Sequence, residues 1–134
     1  MNLAGAAIAV ADFRSQFGST ARRLHLINEF DRELTHLCRQ TIGLQIFAFG
    51  SFLSDKPEPG DLDLLVFGKP LLGIHVFLPY QQITAVADLH LKAWFSTSFT
   101  PRTCAQIVDT FNAYPANAAN GISITENDLC EIIL

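Results

Sequence analysis

The stretch from residue 44 to residue 67 constrains this chain most. LQIFAF at 44–49 and DLDLLVF at 61–67 are apolar runs of strand length, and the GSFLSDKPEPG between them holds two glycines and two prolines. Proline removes a backbone donor and glycine weakens any regular element, so the connection is an irregular loop. The segment therefore reads strand, loop, strand. Gly50 and Ser51 follow the first strand directly, and Asp61 and Asp63 open the second.

The rest of the chain supplies partners for these strands. Ser19 or Thr20 can cap a helix running to about residue 41, with Leu24, Ile27, Phe30, Leu34 and Leu37 on one face. The other positions are mostly polar or charged, as a surface helix requires, and Gly43 is expected to end it. Residues 1–17 fit either a strand or a short helix. Residues 68–85 are broken by Gly68, Pro70, Gly73 and Pro79 and carry no clear period. Residues 87–93 alternate, with Asp88, His90 and Lys92 on one side and apolar residues on the other, which predicts a half-buried strand. Thr100 and Pro101 are expected to start a helix to about residue 114. Residues 115–121 (PANAANG) read as a loop. Thr125 with Asp128 resembles a capping box for a short terminal helix ending in CEIIL. The expected architecture is one mixed α/β (α+β) domain over residues 1–134, with helices packed on a small mixed sheet.

Composition narrows the class. A chain of 134 residues suits one domain with its own core. Hydrophobic residues make up 49% and charged residues 16%, which excludes a disordered chain. A net charge of −4 gives no basic face for duplex DNA. The mean hydropathy of +0.26 and the apolar terminus predict a homodimer or a small protein partner. Cys38, Cys104 and Cys130 have neither disulfide nor zinc-site spacing and read as small buried hydrophobes in a reducing cytoplasm. No run is long enough to span a bilayer. Residues 1–11 lack the positive start of a secretory signal, and Asp12 and Arg14 follow at once.

The chemistry lies at one end of the two strands. Asp61 and Asp63 are two apart, so both side chains leave one face. Two adjacent carboxylates repel unless a cation lies between them, and hard Mg²⁺ or Mn²⁺ prefers such oxygen ligands. Asp88, on a neighbouring strand, is the expected third ligand. Gly50 lets the backbone approach a phosphate closely, and Ser51 adds a hydroxyl. Lys92, on the Asp88 face, is placed to touch a triphosphate. Arg22 and Arg23, in the first helical turn, read as solvated rather than as an anion site, the four histidines as surface or hydrogen-bonded residues, and Trp94 and Phe95 as core, with stacking on a base as the alternative.

FAFGSF, followed by DLDLLVF with Asp61 ten residues on from Ser51, resembles the signature of the polymerase-β-like nucleotidyltransferase superfamily. The longer GSFLSDKPEPGDLDLLVF is similar to a group of small bacterial nucleotidyltransferase-like proteins. The resemblance is strongest over residues 47–67. It implies a minimal nucleotidyltransferase fold, Gly50 and Ser51 on a nucleoside triphosphate, and Asp61 and Asp63 on the metal. The third carboxylate, on a following strand, is carried to Asp88 by position. The expected activity is Mg²⁺- or Mn²⁺-dependent transfer of a nucleoside monophosphate to a hydroxyl on protein, RNA or a small molecule. The alternatives are a non-catalytic nucleotide-binding relative, against which Asp61 and Asp63 argue, and one component of a toxin–antitoxin-type pair.

Overall fold

Thr20 opens the main helix as its spacing predicts. Its hydroxyl accepts the Arg23 N–H, and the helix α2 runs over Ala21–Gln40. In the computed structural model, which describes residues 7–71, 81–82 and 88–134, a short strand β1 (Ala7–Ala9) and a helix α1 (Val10–Phe17) precede it. The ambiguity over residues 1–17 thus resolves as a strand followed by a helix among the described residues. The buried face of α2 is Leu26, Ile27, Phe30 and Leu37. Leu34 packs at its margin, whereas Leu24 is exposed. The apolar stripe starts at Leu26 because the first turn is occupied by the arginine contacts described below.

Gly43 does not end α2. The helix passes directly into strand β2 (Thr41–Phe49), and Gly43 lies inside it, at φ +68°, where the pairing register shifts between Ile42 and Gln45. The left-handed backbone at this bulge favours glycine for conformational reasons alone, since a Cβ there would meet nothing within 4 Å.

Strand β3 (Leu62–Pro70) runs antiparallel to β2, and strand β5 (Leu89–Phe95) runs parallel to β3. Between them in sequence lies β4 (Gln81–Gln82), paired with the outer edge of β5. Strand β6 (Cys130–Ile133) inserts between β1 and β2, giving a six-stranded mixed sheet in the order β1-β6-β2-β3-β5-β4. The C-terminal half departs from the sequence expectation at three places. The CEIIL segment is strand, with Cys130 and Ile132 facing the core, since a short apolar run does not by itself distinguish the two periods. Helix α3 (Cys104–Ala113) starts later than Pro101 because Thr103 and Gln106 form a complete capping box. The supposed loop after it contains a helix α4 (Pro115–Ala119) with proline in its first turn. Thr125 and Asp128 do form a capping box, on the single turn Glu126–Asp128.

The sheet has a core on each face, so the chain is a mixed α/β fold. Ile46, Ala48, Leu62, Leu64, Val66, Leu89, Leu91 and Ala93 meet α1 and α2 on one side. Phe47, Leu65 and Phe67 meet Ile107 and Phe111 of α3 on the other. Burial on both faces explains why β2 and β3 read as near-continuous apolar runs. Helix α3 covers β2 and β3 but leaves His90 and Lys92 of β5 exposed. Of the cysteines, Cys130 is buried and Cys104 is partly so, but Cys38 is exposed on α2, contrary to expectation. Among the described residues, no helix is long and apolar enough to cross a membrane.

Candidate active site

The β3–β5 pairing decides which side chains meet. Asp63 lies level with His90, and Leu62 with Leu89. The leucines enter the core against α1 and α2, so alternation turns Asp63 and His90 to the opposite face. His90 Nδ1 lies 2.9 Å from Asp63 Oδ1 and 3.6 Å from Asp61 Oδ2. Asp61, Asp63 and His90 each offer a ligand atom, and these atoms all lie within 4.8 Å of one another. Asp61 stands just before β3 and not in it.

Asp88 is not part of this group. Its backbone sits in the left-handed region at φ 66°, in the turn that leads into β5. Its carbonyl accepts the Leu62 N–H at 2.9 Å, and its carboxylate accepts from Arg22 Nη2 at 2.9 Å. The period-two pattern placed Asp88, His90 and Lys92 on one face. The turn breaks that period at Asp88, and Arg22 takes its carboxylate. His90 stands where a third carboxylate was expected. The signal for it was present, since His90 belongs to the same alternating run. Lys92 is exposed two residues beyond His90 on β5.

Gly50 closes the site from the β2 side. Phe49 pairs with Asp63, so the chain turns out of β2 level with the carboxylates. Gly50 has φ 83°, and a Cβ there would stand 2.7 Å from Asp63 Oδ2. The glycine therefore lets the main chain pass directly beside the carboxylate. Ser51 is exposed and starts the single turn Ser51–Leu53, beyond which Ser54 N–H and Oγ both donate to the Ser51 carbonyl.

Two arginines read as solvated hold this loop. Arg23 is buried, its guanidinium donating to the carbonyls of Phe52, Ser54 and Lys56 and stacking over Phe52 with Cζ 4.8 Å from the ring centre. Burial lowers its pKa, opposed by the nearby charge of Asp55. Arg22 donates to the carbonyls of Pro59 and Gly60 as well as to Asp88. One side chain thus ties the residues just before Asp61 to the turn just before His90.

The electrostatics follow from placement. Burial pushes the Asp63 carboxyl above the ordinary carboxylate range, the charge of Asp61 adds to this, and the hydrogen bond from His90 opposes it. A carboxylate pair with an imidazole against it is a site where a cation relieves repulsion, and these donors fit a divalent metal.

Over residues 6–114 the chain matches the model of a family of unknown function (DUF6932), and it belongs to that family. No curated protein matches it. No solved structure matches it either.

Proposed function

We propose that this protein is a metal-dependent nucleotidyltransferase of the polymerase-β-like kind, acting on a nucleoside triphosphate and a hydroxyl acceptor. One observation carries the reading: Asp61, Asp63 and His90 converge beside Gly50 and Ser51 at one end of β2, β3 and β5. Asp61 and Asp63 would hold the metal, with His90 as the third donor in place of Asp88. The mixed oxygen and nitrogen set favours Mn²⁺ over Mg²⁺, which takes oxygen almost alone. Such an ion, when bound, neutralises charge on the transferring phosphate and the departing pyrophosphate.

This chain's own residues position the reactants. Gly50 and Ser51 offer backbone and hydroxyl donors to the triphosphate, and Lys92, exposed on the same face of the sheet as His90 but beyond Asp63 from Gly50, adds a cation on the acceptor side. The acceptor oxygen bonds to the α-phosphorus as the bond from that phosphorus to its bridging oxygen breaks. The pyrophosphate leaves with the electron pair, and the hydroxyl proton passes to solvent. Alignment and charge stabilisation supply most of the rate. The exposed Ile133 and Leu134 at the sheet end favour a second copy or a small protein partner in the cytoplasm.

The imidazole at the level of Asp63 favours one second reading, a nucleotide-binding relative that transfers nothing. Incubation with each labelled nucleoside triphosphate and Mg²⁺ or Mn²⁺, with and without lysate, separates the two. Label transferred by wild type and not by Asp63→Asn supports the transferase. Bound but untransferred nucleotide supports the second reading.

A further inference from the structure

The face of the sheet that carries Asp63 and His90 continues away from Gly50. Along it the paired levels are Asp63 with His90, then Leu65 with Lys92, then Phe67 with Trp94. The last pair lies four residues beyond the first, about 13 Å at strand rise. There a cavity of about 140 Å³ is lined by Phe67, Trp94, Ser96, Ser98, Phe99 and Arg102.

Arg102 is mounted in this cavity by two elements. Gln45 of β2 brackets its main chain, its amide oxygen accepting the Arg102 N–H at 2.8 Å and its Nε2 donating to the Arg102 carbonyl at 3.1 Å. The guanidinium then lies over Trp94, with Cζ 4.6 Å from the ring centre, and within 6.0 Å of the Phe67 ring. Its one hydrogen bond among the described residues goes to Thr110 Oγ1 at 3.3 Å, and no carboxylate there pairs with it. A guanidinium has five N–H donors. This one is half-buried, fixed against an aromatic platform, and left with donors to spare.

We infer that Trp94 and Arg102 form a platform for a single-stranded polynucleotide, which is the acceptor in the transfer proposed above. A base stacks readily on an indole or on a guanidinium plane, and spare guanidinium donors take phosphate oxygens. Lys92 stands between the platform and the carboxylates, exposed, where the next phosphates of the strand would pass. The donor triphosphate belongs to Gly50 and Ser51, on the far side of Asp63, so the two ligands approach the carboxylates from opposite ends. A small-molecule acceptor would not reach from Asp63 to Trp94; a polynucleotide does. The inference rests on the proposed transferase reading for the acceptor role and on the platform itself for binding.

Trp94 is the only tryptophan in the chain, so its fluorescence reports on the platform directly. The full-length protein is titrated in EDTA with an eight-nucleotide RNA, with ATP and with inorganic phosphate. The expected result is saturable quenching by the RNA, weakened about tenfold or more in Arg102→Met and by added salt, with ATP unable to displace the RNA. If Arg102→Met does not melt cooperatively, the exposed Lys92→Met replaces it and is expected to weaken binding as well. No quenching by RNA, equal quenching in the variants, displacement by ATP, or quenching by inorganic phosphate alone would each overturn the inference. Because binding is read without metal, RNA quenching with no label transfer overturns only the transferase reading, and label transfer to small molecules without RNA quenching overturns only this one.

Discussion

A Cβ on Gly50 would stand 2.7 Å from the Oδ2 of Asp63, so the absence of a side chain on one residue makes the room for the carboxylate of the other. The same glycine holds φ at 83°, in the left-handed region. Gly50→Ala should therefore destabilise the fold by about 2 kcal/mol or more, combining the backbone penalty with the collision. It should also displace Asp63 and abolish any metal response. Ser51→Ala, at an exposed position, should leave the urea midpoint nearly unchanged and reduce transfer less than Asp63→Asn does. Equal losses in the two single variants would remove the assigned division of roles.

Metal should act as a stabilising ligand. With Mn²⁺ at a hundred times its dissociation constant, mass action adds about 2.7 kcal/mol, visible as a rise in Tm over the same protein in EDTA. Asp63 is held above its ordinary pKa of 3.8, mainly by burial. The folded state therefore binds more protons than the unfolded one above that pH, and metal-free stability falls as pH rises through the carboxylate range. Asp63→Asn should remove that fall, match or exceed wild-type Tm in EDTA at neutral pH, and eliminate the metal response. Identical wild-type melting curves in EDTA, Mg²⁺ and Mn²⁺ would sink the metal site.

His90 and Asp88 should separate cleanly. His90→Ala removes a donor from the cluster and should weaken Mn²⁺ binding, measured by calorimetry, about tenfold or more. Asp88→Asn keeps a residue that tolerates the left-handed turn and loses only the half-exposed pair with Arg22, so it should cost within about 1 kcal/mol. A greater loss of metal affinity in Asp88→Asn would restore the ligand order read from the sequence.

Arg23→Met should be among the most destabilising changes outside the apolar core. It strands the carbonyls of Phe52, Ser54 and Lys56, which Arg23 satisfies from a buried position, and a loss of about 3 kcal/mol is expected from the urea midpoint. Arg22→Met should cost less stability and instead loosen metal binding, because Arg22 joins the Gly60 carbonyl, just before Asp61, to the Asp88 carboxylate, in the turn that leads to His90.

The thiols should react in order of exposure. Cys38 is exposed and should be alkylated by iodoacetamide first. Cys130 is fully buried, and burial first, then the neighbouring Cys104 and Glu131, raises its pKa to about 11. It should stay unmodified until the protein unfolds. Since the unfolded thiol releases its proton earlier, stability should decline as pH climbs from about 9 toward 11. Early labelling of Cys130, detected by peptide mass, would contradict its placement.

Features of this protein that rest on neighbouring residues were legible before any fold was known. The Thr20 cap, the stripe through Ile27, Phe30 and Leu37, and the loop between two apolar strands all follow from residues near one another in the chain. So do Gly50, Ser51, Asp61 and Asp63, whose spacing across one loop fixes them at one end of β2 and β3. Tertiary structure decided whatever depended on a partner distant in sequence. Whether CEII is helix or strand depended on a gap between β1 and β2 that it alone fills. Whether Arg23 is solvated depended on carbonyls some thirty residues away. Asp88 and His90 lie two residues apart on what reads as one face. Only the turn at Asp88, gripped by Arg22 from α2, and the register that sets His90 opposite Asp63 chose between them. Alternation names a face, but strand register and the backbone angle of one residue select which side chain on it reaches the site.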